Sequence, residues 1–232
     1  MLVLFAGCEG TQKISNRNLA YLYTPALNFM YPDYRVCSIN PDTSRVFFSI
    51  SSEELLFMKS GDSNSFYASI AVNFRVLFNY ESKIPIDSGT LYFDIPQDSL
   101  PDNLFSATID VYAPDSSDYL IQLEMTDINR QQAVGAFYKI DRTGLQPSEN
   151  FMVLDAETGK PFLKNYTNTQ ASIRLLNTNS NRAQIYMRFF NAGFPLSKPP
   201  FSNDDNKALS YKSDQTFLID LDKSDIISLD KP

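Results

Sequence analysis

Asp220, Asp222 and Asp225, with Asp230 close behind, form the densest acidic cluster in the chain. Carboxylates at such spacing are the donors that Ca²⁺ prefers. The loop, however, lacks the glycine and the terminal glutamate of an EF-hand. Asp220 and Asp222 also flank Leu221, which is the pattern of a solvated strand edge. Ser82 and Lys83 could in principle form a nucleophilic dyad. They are adjacent, though, and extended backbone would send neighbouring side chains to opposite faces. Histidine is absent. That excludes Ser-His-Asp and Cys-His nucleophilic sites and imidazole metal ligands. The expectation is a protein that is not an enzyme and needs no cofactor and no metal. Tyr67, Tyr92, Tyr112 and Tyr186 fall on the polar phase of their segments. Exposed tyrosines can stack on a sugar ring or anchor a protein interface. Ordinary cross-strand aromatic pairing would place them there too.

One residue carries a sharper chemical signal. The chain opens on a short apolar run that ends Leu4-Phe5-Ala6-Gly7-Cys8. An apolar run closing on small residues reads as the tail of a secretory signal peptide. With cysteine next, the run resembles a bacterial lipobox. There the thiol is acylated and the cysteine becomes the first residue of the mature protein. Phe5 stands where leucine is usual, and no Lys or Arg precedes Cys8. The expectation is a lipid anchor at Cys8, a tether over 9–30 and a bacterial cell-envelope location, the outer membrane in particular. The second cysteine, Cys37, lies in a strand-like context and is expected to be a buried small hydrophobe. A Cys8–Cys37 disulfide is the alternative.

The remaining composition narrows the partners. A net charge of −7, with no basic run, argues against nucleic acid. The chain has no tryptophan, which weakens the case for a sugar-stacking platform. A hydrophobic content of 43% can fill real cores. No second segment approaches the roughly 18 apolar residues of a transmembrane helix.

Period-2 patterning dominates from about Tyr31 onward. In Phe66–Phe78 the residues Phe66, Ala68, Ile70, Val72, Phe74, Val76 and Phe78 alternate with Ser69, Asn73 and Arg75. Such alternation predicts a strand with one buried and one wet face, long enough to need a bend or bulge. The same alternation recurs at Val46–Ile50, Leu91–Ile95, Ala107–Val111, Tyr119–Met125 and Val134–Ile140. Asn40-Pro41-Asp42, Asp87-Ser88-Gly89 and Asp127-Ile128-Asn129 supply turn signals. Residues 31–141 are thus expected to form a β-sandwich of immunoglobulin type. The stretch Arg142–Asn150 reads as a linker. Phe151–Leu154, Ala171–Leu176, Ala183–Phe190 and Thr216–Leu221 then predict a second, unfinished sandwich over 151–232. Its missing strands would come from a further C-terminal domain or from a protein partner.

Several pieces carry a family resemblance: Asn18-Leu19-Ala20-Tyr21-Leu22-Tyr23 with Pro25, Tyr34-Arg35-Val36, Ser52-Glu53-Glu54-Leu55-Leu56, Phe66–Arg75, and Glu81-Ser82-Lys83 with Asp87-Ser88. Together they resemble the N-terminal region of the GWxTD-domain-containing lipoproteins of Bacteroidetes. The resemblance covers roughly residues 18–90. The Gly-Trp-x-Thr-Asp signature is absent, since there is no tryptophan. The resemblance implies the N-terminal β-domains of an envelope lipoprotein and no catalytic residues. The function expected is a structural or protein-docking module. A glycan-binding surface lipoprotein of a polysaccharide-uptake system is the alternative.

Replacing Cys8 by alanine should move the protein from the membrane fraction to the soluble fraction. Each buried methylene of the acyl chains contributes about 0.8 kcal/mol, so their loss should be decisive. Unchanged membrane fractionation of Cys8→Ala would exclude the anchor.

Overall fold

The computed structural model describes residues 29–59, 65–100, 103–114, 117–143, 148–164, 166–167, 170–178, 182–189, 213–222 and 225–229. Residues 1–28, Cys8 among them, and residues 190–212 lie outside them. The chain is all-β, and every strand pairing is antiparallel.

The first eight strands are β1 (Asp33–Asn40), β2 (Thr43–Ser51), β3 (Met58–Lys59), β4 (Phe66–Leu77), β5 (Asp87–Pro96), β6 (Leu104–Tyr112), β7 (Asp118–Asp127) and β8 (Gln132–Asp141). One sheet runs β1-β2-β6. The other runs β5-β4-β7-β8, with the short β3 against the start of β4. The alternation seen in the sequence explains the packing. Val46, Phe48 and Ile50 of the first sheet face Ile70, Val72, Val76, Ile121 and Leu123 of the second, and all are buried. The Phe48 and Phe93 rings meet edge-on across the gap, with centroids 5.8 Å apart.

Two local readings are corrected. β4 runs without a bulge, in unbroken register with β5 from Tyr67 to Val76 and with β7 from Ile70 to Leu77. A strand paired on both sides keeps its register because a slip would expose its whole apolar face. Asp87-Ser88-Gly89 is not a turn but the start of β5. Gly89 lies directly opposite Phe74. A Cβ at Gly89 would come within 2.8 Å of the Phe74 ring, so the glycine makes room for the aromatic.

Arg142–Asn150 is anchored at both ends. The buried Arg142 donates from Nη2 to the carbonyls of Asn40 and Pro41 at 2.6 and 2.7 Å. The single turn Ser148–Asn150 lies against β1 and gives its Asn150 carbonyl to the Thr178 amide at 2.9 Å. Cys37 is fully buried, as expected of a small hydrophobe in a strand.

Beyond lie β9 (Phe151–Asp155), β10 (Ser172–Asn177), β11 (Arg182–Phe189), β12 (Gln215–Asp222) and β13 (Ile226–Ser228). They make two small sheets, β13-β10-β9 and the hairpin β11-β12. Among the described residues of this region, Met152 and Ile227 are the buried hydrophobics.

Phe74→Ala should cost about 3–5 kcal/mol in a denaturant melt, whereas the exposed Arg75→Ala should cost little. Gly89→Ala should cost about 1–3 kcal/mol by overpacking the Phe74 ring. Combining it with Phe74→Leu should restore part of that loss. Additive losses in the double variant would refute the steric pairing.

Candidate functional site

A concavity of about 590 Å³ opens where the first sandwich meets the segment after β9. Its floor comes from Asp33 and Tyr34 at the start of β1, Ser49–Ser51 at the end of β2 and Tyr138 on β8. One wall holds Tyr31 and Glu54, and the other holds Leu163, Lys164 and Tyr166.

Each wall is placed by local chemistry. Ser51 Oγ accepts the Glu53 amide at 3.3 Å and starts the single turn Ser52–Glu54. The Glu54 carboxylate in turn accepts the Tyr31 amide. On the other side, Asp155 Oδ1 accepts the amides of Glu157 and Thr158 at 3.0 and 2.7 Å and the Thr158 hydroxyl at 2.9 Å. Those bonds hold the Asp155 carboxyl below its ordinary range. Gly159 at φ +69° closes the turn, a backbone geometry that glycine adopts readily. The chain returns beside β9, with the Phe162 amide on the Val153 carbonyl at 2.9 Å. This return delivers Lys164 and Tyr166 to the rim.

The chemistry of the cavity is mixed. The Lys164 ammonium lies 3.5 Å from Asp33 Oδ2 and 6.0 Å from the centre of the Tyr166 ring. Asp33, with Tyr166 beside it, raises the Lys164 amine above its ordinary range. Tyr31 and Tyr166 are 60% and 75% exposed. Tyr34 is only 7% exposed and tilts against Tyr138 at 5.7 Å. Burial raises both phenols, and Tyr138 adds to the effect on Tyr34. The Tyr34 hydroxyl is buried with no hydrogen-bond partner.

The residues singled out in the sequence lie elsewhere. Tyr92, Tyr112 and Tyr186 are exposed, and Tyr67 is half-buried. Tyr92 and Tyr67 lie on the outward face of the second sheet, Tyr112 ends β6, and Tyr186 is on β11. None of the four lines the cavity. Asp220 accepts Gln184 Nε2 at 2.7 Å across the hairpin. Asp225 Oδ2 accepts the Asp222 amide at 2.8 Å, and the Asp225 amide returns to the Asp222 carbonyl at 3.0 Å. Asp222 and Asp225 thus tie a turn together. Among the described residues no cluster of three or more acidic, cysteine or histidine side chains could hold a metal, and Asp230 lies outside them. Ser82 Oγ donates to Asn79 Oδ1 at 3.0 Å within a turn, and the Lys83 carbonyl accepts from Arg75. No protein-family model matches the chain, and no curated protein does.

A raised Tyr34 means the folded state holds the phenol proton more tightly than the unfolded chain does. The stabilisation is complete below pH 10, the ordinary tyrosine value, and is lost as pH rises above it. Tyr34→Phe should therefore flatten the alkaline fall in stability. At pH 7 it should leave stability equal or slightly higher, because the hydroxyl makes no bond to lose. Thermal melts from pH 7 to 11 would show this, and a marked loss at pH 7 would mean the hydroxyl has a partner.

Proposed function

We propose that this chain is a non-enzymatic docking module of a lipid-anchored bacterial envelope protein, held at the outer membrane through Cys8. The lipobox-like Leu4–Cys8 segment and the resemblance of residues 18–90 to GWxTD-domain-containing lipoproteins support the location. The observation that carries the docking role is the hairpin β11-β12. Among the described residues its two strands pair only with each other. Two-stranded ribbons are marginal in water, and open strand edges pair with an incoming strand through backbone hydrogen bonds. Tyr186 is 68% exposed and Leu218 52% exposed, directly opposite one another across the hairpin. The partner of this reading is a protein that adds an extended segment along the hairpin and covers Tyr186 and Leu218.

A photoreactive amino acid at Leu218 in living cells should give one discrete protein adduct, and Tyr186→Asp should abolish it. The same probe at Tyr92, exposed on the first sandwich, should not give that adduct. No adduct from Leu218, or the same adduct from Tyr92, would overturn the docking role.

A further inference from the structure

We propose that the cavity between the first sandwich and the Leu163–Tyr166 segment is a binding site for a neutral oligosaccharide. It shares no residue with the hairpin β11-β12, so the two readings stand or fall separately.

The shape is the first ground. A concavity of about 590 Å³ falls within the range of small-ligand sites, and junctions between folded units are where such sites concentrate. The aromatic lining is the second. Two tyrosines stand largely exposed at the mouth and two more are packed in the floor. A tyrosine ring offers a flat apolar face with a polar edge. That matches a pyranose, which presents C–H groups on its faces and hydroxyls around its rim.

Charge decides the ligand class. Asp33 and Glu54 lie on the same lining as Lys164. A polyanion would meet two carboxylates, and an organic cation would meet the ammonium beside Tyr166. A polyol suits both signs, since each hydroxyl donates to a carboxylate and accepts from an ammonium.

The test uses the whole chain and five neutral probes: maltohexaose, cellohexaose, laminarihexaose, xylohexaose and mannohexaose. Because the protein has 13 tyrosines and no tryptophan, its intrinsic emission reports on tyrosine alone. At least one probe should change that emission saturably. Tyr31→Ala and Tyr166→Ala should each weaken its binding about tenfold or more. Both residues are exposed, so circular dichroism and the melting temperature should stay unchanged. Tyr92→Ala, on the outward face of the second sheet, should change neither binding nor stability. Three results would overturn the proposal: none of the five probes binds at millimolar concentration; binding survives both Tyr31→Ala and Tyr166→Ala; or tetramethylammonium or a sulfated oligosaccharide binds the cavity more tightly than every neutral probe.

Discussion

The Asp127 carboxylate is the interaction on which the placement of the site depends. It is fully buried at the end of β7. A buried carboxylate is tolerated only when its oxygens are satisfied. Here Oδ2 accepts the Leu56 amide at 2.8 Å and Oδ1 accepts the Arg130 amide at 2.9 Å. The same turn reaches further. Asn129 Nδ2 donates to the carbonyls of Leu56 and Tyr67, and Arg130 Nη1 donates to the Glu54 carbonyl. The segment after β2 has little sheet pairing of its own, so these bonds fix it. Glu54 is thereby held, and its carboxylate holds the Tyr31 amide at the mouth of the cavity. Arg130 also lies over the Phe29 ring at 5.5 Å and steadies the approach to β1. Removing one member would leave a buried charge or carbonyl unpaired, which costs more than the bond itself contributes.

Most of the fold was legible because its periodicity is simple. In β2, β4, β6 and β7 the apolar phase in the sequence is the buried phase in the structure. What the sequence hides is set by contacts between distant segments. Gly89 looked like turn chemistry because its neighbours are Asp87 and Ser88, yet its role is to leave space for a ring on the next strand. Nothing local to residues 87–89 records that Phe74 lies opposite. Arg142, read as the start of a linker, is buried because the Asn40 and Pro41 carbonyls need a donor. Ile226–Ser228 was too short to stand out as a strand, and it is held by pairing with β10.

The candidate site was far less legible. Its aromatic groups come from Tyr31 and Tyr34, from Tyr138 and from Tyr166, segments that have no common spacing. Tyr34 and Tyr138 fall on the apolar phase of their strands and so read as core, which they largely are. Of the four tyrosines on the polar phase, Tyr67 and Tyr92 share the outward face of the second sheet, while Tyr112 and Tyr186 lie on other strands, and none lines the cavity. Polar phase reports exposure, whereas a site needs convergence, and convergence is set by topology. The acidic cluster shows the same separation of sequence proximity from convergence. Asp220 and Asp222 are neighbours in sequence, but one pairs across the hairpin and the other shapes a turn.

The two sides of the cavity are joined by modest forces. The Lys164–Asp33 pair is solvent-exposed on both members, and such pairs contribute little to stability. The firmer tie is the Ser148–Asn150 turn, packed on β1 and bonded through Asn150 to the end of β10. The Asn150 bond thus ties the turn to β10, while the exposed Lys164–Asp33 pair links the wall bearing Lys164 and Tyr166 to β1. A ligand seated between Tyr31 and Tyr166 would touch both sides at once. It would add contacts across the junction to those that the Lys164–Asp33 pair and the Asn150 bond already make.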